Sequence, residues 1–452
     1  MPEAARGGGR SELARDLTLS HATAVVIGTV IGSGIFLVPA EMMQAVGSSA
    51  LVYLAWITGG VLSLAGAITY AELGAMKPYA GGEYVYVRDG WGPLGGFLYA
   101  WTYFLVAKPG SMASISTGFV RILSNFGPLH GLGVMQNGEW HPTHAGQAVA
   151  ITSVVLITFI NYIGVKRAGE FQLFFTVLKI AIILIVVVCG FMYAGGSFAN
   201  FSTSYSGARG SFAGFMTALV AALWAYDGWN LVTTVSAEIR EPQRNLPIAL
   251  IAGMTAVGAL YIGVNAAVQY VMPAAAVAGS SGPALEAVRW LGPGFLAVVI
   301  AGMALSMLAT LNGSTMTGAR VPFAAARDRY FPAGLAAVHP RFRTPSASLV
   351  VQGGLAAVFL LFAGTFQALF RLTLFAEWLF YLLGAATIFI FRGREPKAER
   401  PYRAWGYPVL PALFLCAAGL LLVYTFNARG AAMILAGVPV FYFYSRRKAR
   451  SR

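Results

Sequence analysis

The chain has 452 residues, of which 57% are hydrophobic and only 11% charged, with a formal net charge of +14. Soluble domains carry about 25% charged residues, so this composition excludes an ordinary soluble globular protein and places the chain in a bilayer. The positive charge does not imply nucleic acid, because Arg and Lys sit in short gaps between apolar runs, with no long basic stripe beside stacking aromatics.

The tail 1–20 mixes Arg6, Arg10 and Arg15 with acids. The first apolar run begins near residue 21, lacks a small-residue cleavage site and leads into further runs, so no cleaved signal peptide is expected. A spanning helix needs about 20 apolar residues. Predicted spans cover 21–45, 49–76, 91–124, 146–164, 168–194, 212–237, 247–272, 293–320, 346–364, 366–391, 406–427 and 430–445, with a tight turn at Gly364. The fold class is therefore an all-α integral membrane protein of twelve helices with both termini on one side. Basic residues orient it, since cytoplasmic loops are enriched in Lys and Arg. With the N-terminus inside, 24 of the 31 Lys and Arg fall in cytoplasmic segments and three, Arg209, Arg289 and Arg429, outside. The expected location is a cell inner membrane or plasma membrane, with a basic cytoplasmic tail at 446–452.

Two of the spans are interrupted. The first holds Gly28-Thr29-Val30-Ile31-Gly32-Ser33-Gly34, and the sixth holds Trp224-Ala225-Tyr226-Asp227-Gly228-Trp229-Asn230. Gly costs roughly 1 kcal/mol against Ala in a helix interior, and an Asp at mid-membrane costs at least ~2.5 kcal/mol. Unwound backbone at membrane depth is tolerated where protein buries it or where it lines a cavity. Paired interruptions in two halves point to the binding site of a transporter. Five helices separate the two breaks, so the broken spans cross in opposite directions. The chain then divides into a first repeat over 21–194, an inverted second repeat over 212–391 and two appended helices over 406–445.

Gly32, Ser33 and Gly34 free N–H groups at the start of a half-helix, a site for an anion such as an α-carboxylate. The opposing break at Tyr226-Asp227-Gly228 frees carbonyls that accept from an α-ammonium. The bland alternative is close helix packing through small residues. Trp224 stands one turn from Asp227 and either closes over a substrate or simply packs. Asp227 meets a cationic side chain, pairs within the protein, or caps the broken helix. Lys179 lies deep between apolar neighbours, either as a fixed positive charge bridging carbonyls in place of sodium or as a proton carrier. Lys108 lies mid-span, with Glu72 and Glu377 as candidate counter-ions. The loop histidines of His141-Pro142-Thr143-His144 read as solvated rather than metal-binding. There is no CxxC, HExxH, P-loop or Ser/His/Asp order. No enzyme, metal or cofactor is expected.

The segments Gly32-Ser33-Gly34-Ile35-Phe36, Tyr70-Ala71-Glu72-Leu73-Gly74, Gly81-Gly82-Glu83-Tyr84, Lys108-Pro109, Lys179, Trp224 to Asn230 and Glu238 to Pro247 resemble the L-type amino acid transporters of the amino acid–polyamine–organocation superfamily. The likeness runs from about 17 to about 390. It implies a five-plus-five inverted-repeat fold with discontinuous helices one and six. It also implies that the substrate carboxylate meets the Gly32-Ser33-Gly34 backbone and the ammonium meets carbonyls near Val30, Trp224 and Asp227. By the same resemblance Trp224 is the external gate, Asn230 lies near the site, and Lys179 takes a sodium position. Animal members bind a glycoprotein subunit through a cysteine after the third span. No cysteine occurs in 125–145 here, so no disulfide-linked heavy subunit is expected. The reading is a sodium-independent L-amino acid exchanger for small neutral and also cationic amino acids, with a proton-coupled amino acid or polyamine symporter as the alternative.

Overall fold

In the computed structural model, which describes residues 13–32, 34–136, 139–280, 282–362 and 366–450, helix occupies most of the described residues. The elements run α1 Leu19–Val30, α2 Gly34–Val46, α3 Ser49–Met76, α4 Glu83–Trp91, α5 Pro93–Thr102, α6 Lys108–Leu123, a hairpin of β1 Gly133–Gln136 and β2 Glu139–Pro142, α7 His144–Tyr162, α8 Val165–Phe191 and α9 Ser211–Ala225. After them come α10 Pro242–Val271, α11 Ala274–Gly279, α12 Pro283–Glu286, α13 Pro293–Gly318, α14 Arg320–Arg327, α15 Ser346–Phe362, α16 Phe366–Arg394, α17 Val409–Tyr424, α18 Ala428–Leu435 and α19 Gly437–Arg450.

Among the described residues, six helices are long and apolar enough to cross a membrane. A seventh span arises if α17 and the helical segment after it, bent by 109°, are taken together. The outer faces suit lipid. On α8, Phe174, Val177, Leu184, Ile185 and Val188 are exposed, whereas Gln172, Thr176, Lys179, Ile183 and Val186 are buried at helical spacing. The turn expected at Gly364 lies outside the described residues.

Both expected interruptions are present as breaks. α1 stops at Val30, Ile31 is extended at φ −73° and ψ 93°, and helix resumes at Gly34. α9 stops at Ala225, Gly228 takes φ +104°, and a 3-10 helix runs Trp229–Glu238. α1 packs against α8, α10 and α13, so the first break is held inside the bundle. A third irregularity was not anticipated. A π-helical turn, Tyr103–Ala107, precedes α6. Pro109 has no N–H to donate to the preceding turn, and the ladder widens just upstream, with the Lys108 N–H reaching back to the Tyr103 carbonyl.

The segment around His141 is not a plain loop. β1 and β2 pair antiparallel, Val134 opposite His141, on either side of Asn137-Gly138, a dipeptide that favours two-residue hairpin turns. Thr143 then caps α7 by accepting from the Gly146 N–H at 3.3 Å.

Polar pairs tie the other end of the second break. Arg320 and Glu238 are fully buried against each other, with Nε to Oε1 at 2.7 Å and Nη2 to Oε2 at 2.9 Å. The Leu17 N–H donates to the Glu238 carbonyl at 3.0 Å, and the Arg240 N–H to the Leu17 carbonyl at 2.8 Å. Arg320, at the end of the predicted span 293–320, is thus buried in the interior.

Candidate functional site

The two breaks cross. The Thr29 hydroxyl lies 3.0 Å from the Gly228 carbonyl, and a side chain on Gly228 would sit 3.2 Å from the Thr29 carbonyl oxygen. Glycine at 228 is required twice, by its positive φ and by that approach. A Cβ on Gly34 would lie 3.2 Å from the Ala225 Cβ and 3.5 Å from Trp224 Cζ3. The start of α2 therefore rests on α9, with the half-buried Trp224 ring beside it. Gly32 differs, because nothing lies within 4 Å of where its Cβ would be. The first turn of α2 has unpaired N–H groups by helix geometry, and Gly32 opens space next to them. Ser33, predicted to share in this cradle, lies outside the described residues.

Lys179 reaches the end of α1. Its ammonium donates to the Gly28 carbonyl at 2.9 Å, to the Ile31 carbonyl, and to Thr310 Oγ1 of α13 at 3.1 Å. Thr310 Oγ1 is itself 3.2 Å from both of those carbonyls. One side chain thus ties three segments, α1, α8 and α13, at the point where α1 unwinds. Thr310 was not read from the sequence; it resembles any other Thr in an apolar helix until its partner is seen.

Tyr261 is the second residue that sequence reading missed. Its hydroxyl is 2.8 Å from the Ala225 carbonyl and 3.2 Å from the Val30 carbonyl, so one O–H serves the end of each interrupted helix. Val30 and the 224–227 segment, assigned to one ammonium site by resemblance, are therefore neighbours in space. The Tyr261 ring packs with Trp56 and Tyr226 at centroid distances of 5.3 and 5.0 Å. A buried Tyr needs a partner for its hydroxyl, which is the only signal the sequence offered. Tyr261→Phe keeps the ring and removes the donor. The transport expected from the sequence should fall about tenfold, ~1.4 kcal/mol, with the folded fraction on size exclusion unchanged. Initial uptake rates check this, and unchanged rates would remove the hydroxyl from the working site.

Asp227 and Asn230 turn towards a different set of groups. Asp227 Oδ1 accepts from the Tyr381 hydroxyl at 2.8 Å. Asn230 Nδ2 donates to Glu83 Oε2 at 2.9 Å. Glu83 also accepts from Tyr70 and, at 3.3 Å, from Tyr99. Lys108 is buried over the Tyr103 ring, 5.0 Å from its centroid. Of its two candidate counter-ions, Glu72 is engaged elsewhere. Glu72 instead binds Arg392 through both oxygens, at 2.9 and 2.6 Å, and accepts from the Ala404 N–H at 2.7 Å. Arg392 of α16 claims that carboxylate, near the end of α3, in a bidentate pair.

The described residues contain no group of three His, Cys, Asp or Glu placed to hold a metal ion. A family model described as amino acid permease matches residues 17–446. The chain is 30% identical over 450 residues to the serine/threonine exchanger SteT of Bacillus subtilis, covering 97% of this chain and 98% of that protein. It is 31% identical over 404 residues to b(0,+)-type amino acid transporter 1 of Oryctolagus cuniculus, covering 87% and 79%. It is also 31% identical over 440 residues to the cystine/glutamate transporter of Homo sapiens, covering 96% and 86%.

Proposed function

The chain belongs to the amino acid permease family, among the L-type amino acid transporters, and from that premise we propose that it is a sodium-independent L-amino acid exchanger working by alternating access. Transport of amino acids across a membrane, not catalysis, is the family's activity. The proposed architecture has twelve spans with both termini cytoplasmic in an inner or plasma membrane. Its two five-helix repeats, 21–194 and 212–391, are inverted, and two helices follow over 406–445. The opposed breaks at Ile31–Gly34 and Ala225–Trp229 support that arrangement.

The observation that carries the reading is the Lys179 ammonium between the Gly28 and Ile31 carbonyls and Thr310. A fixed cation occupies the kind of carbonyl cage that an alkali ion would otherwise bridge, so the cycle needs no sodium. The substrate carboxylate is assigned to the backbone of Gly32, Ser33 and Gly34. The ammonium is assigned to carbonyls of Val30, Trp224 and Asp227, with Trp224 as gate and Asn230 behind the site. Small neutral amino acids are the preferred substrates, in line with the serine/threonine exchanger that matches nearly end to end. Cationic substrates come second, since Asp227 is already engaged by Tyr381. The chain is proposed to work without a disulfide-linked subunit; Cys189 and Cys416 are both unpaired and lie in α8 and α17.

The test is uptake of a labelled amino acid panel into proteoliposomes, loaded or empty, in sodium-free buffer at equal pH on both sides. Uptake only into loaded vesicles is the expected result. Accumulation in empty vesicles driven by a proton gradient would replace exchange with symport.

A further inference from the structure

At the end of α1 opposite its break lies a cavity of about 340 Å³ that the exchange reading leaves unassigned. Arg15, Tyr79, Arg88, Ala237, Arg327 and Asp328 are among the residues that line it. They come from the segment leading into α1, the turn before α4, α4 itself, the 3-10 helix and the end of α14. The half-helix before the first break and the one after the second meet here, where the Leu17 N–H donates to the Glu238 carbonyl at 3.0 Å. α1 has 12 residues, a rise of about 18 Å, so the cavity and the first break lie about half a bilayer apart. Polar contacts shut the way between them. Thr234 Oγ1 donates to the Thr317 carbonyl at 3.0 Å, the Gly81 N–H donates to the Thr234 carbonyl at 2.9 Å, and Glu238 holds Arg320.

Three guanidinium groups and one carboxylate line the cavity. Arg88 is engaged, by Asp328 and, at 2.7 Å, by Asp89. Tyr84 donates to the same Asp328 at 2.8 Å, and Lys77 takes the other oxygen of Asp89 at 3.1 Å. Of the acids close by in sequence, Asp16 lies with Arg240 at 3.8 Å, and Glu238 is buried with Arg320. Arg15 and Arg327 are thus left without an acid among the described residues, and both are exposed. Neither sits on loose backbone. The Arg15 carbonyl accepts from Arg240 Nε at 3.2 Å, and Leu13, Ala14 and Leu17 on either side are buried. Arg327 ends α14 with its guanidinium over the Phe323 ring, 5.6 Å from the centroid. A cleft lined by uncompensated charge of one sign concentrates ions of the other. A guanidinium also matches a carboxylate through two parallel N–H bonds.

We propose that this cavity is a capture site for the α-carboxylate of cytoplasmic amino acids, with Arg15 and Arg327 as its donors, filled before the half-helices part and admit the molecule to the breaks. The assignment deepens the exchanger reading, and rests on it and on the proposed orientation for calling this face cytoplasmic. Exposed arginines hold a carboxylate weakly, so the site gathers substrate from one face and leaves the central site's own affinity alone. Salt opposes it, because the screening length falls from about 10 Å at 0.1 M to about 3 Å at 1 M ionic strength.

Right-side-out and inside-out vesicles carrying the full-length protein present opposite faces to added substrate and supply the test. Arg15→Gln/Arg327→Gln is expected to raise the KM about fivefold at the cytoplasmic face alone, the loss of two exposed charge pairs. Arg15→Lys/Arg327→Lys keeps the charge and should stay close to the wild type. Added potassium chloride should raise the cytoplasmic KM of the wild type and spare that of the glutamine pair. An unchanged cytoplasmic KM in the glutamine pair, or an equal rise at both faces, overturns the proposal. Saturation-transfer NMR with acetate and purified protein in nanodiscs reads the site without transport. An acetate signal that weakens in the glutamine pair is expected; no signal in the wild type, or one that the folded glutamine pair retains in full, overturns the assignment. An acetate signal that depends on both arginines, in protein that exchanges nothing, would defeat the exchanger reading and leave the carboxylate site standing.

Discussion

Replacing Lys179 with alanine is expected to lower exchange by at least about a hundredfold, equivalent to ~2.7 kcal/mol. The ammonium is the donor that Lys179 brings to the Gly28 and Ile31 carbonyls at the unwound end of α1. A buried polar group left without a partner costs about 1–3 kcal/mol, and the Thr310 hydroxyl, 3.2 Å from both carbonyls, has one hydrogen for the two. The chain has two remedies, to wind α1 further or to shift it off α13. Either one moves Gly32 and the first turn of α2, which begins at Gly34. Lys179→Met keeps most of the volume and removes the charge, so it should be as inactive as alanine. Lys179→Arg should also fail, because a planar guanidinium does not replace a compact ammonium between carbonyls. Counterflow of a labelled substrate in loaded proteoliposomes measures the effect. Sodium should restore part of the activity of the alanine variant, where choline does not, if one cation can stand for another. Wild-type exchange by Lys179→Met would show that the ammonium does not organise the site.

Much of this was legible in the sequence because membrane burial makes polar and flexible residues conspicuous. Gly28 to Gly34 and Tyr226 to Gly228 are expensive in a spanning helix, and both mark breaks. Lys179 stood out for the same reason, and its carbonyl partners follow from the ammonium's need for acceptors. What stayed hidden was partnership across the bundle. Tyr261 and Thr310 occupy apolar runs in which a hydroxyl usually bonds its own helix, and only the packing of α10 and α13 against α1 gives them their second partners. Glu83 was part of a recognised motif, yet nothing local joined it to Asn230 across 147 positions. The pairing of Glu72 with Lys108 rested on charge alone, and an arginine with matching geometry took the carboxylate instead. The π turn at Tyr103–Ala107 was also concealed, since its cause, Pro109, commonly sits at an ordinary helix start.

Gly32→Ala is expected to fold and insert like the wild type and to raise the KM for exchange at least about tenfold, ~1.4 kcal/mol. No atom lies within 4 Å of the added methyl, and no positive φ is demanded at this position, so neither steric clash nor backbone strain opposes it. The methyl would instead project into the space above the first turn of α2, which the substrate carboxylate must reach to meet the free N–H groups. Gly34→Val should behave differently. Its side chain would press on Ala225, already 3.2 Å from the position of a Cβ, and force α2 away from α9. That variant should lose thermal stability together with transport, since overpacking costs typically 1–3 kcal/mol. Measuring KM, maximal rate and melting midpoint for both variants separates the two effects. A Gly32→Ala protein with unchanged KM would remove the substrate from the first break, and the helix crossing there would then be a packing feature.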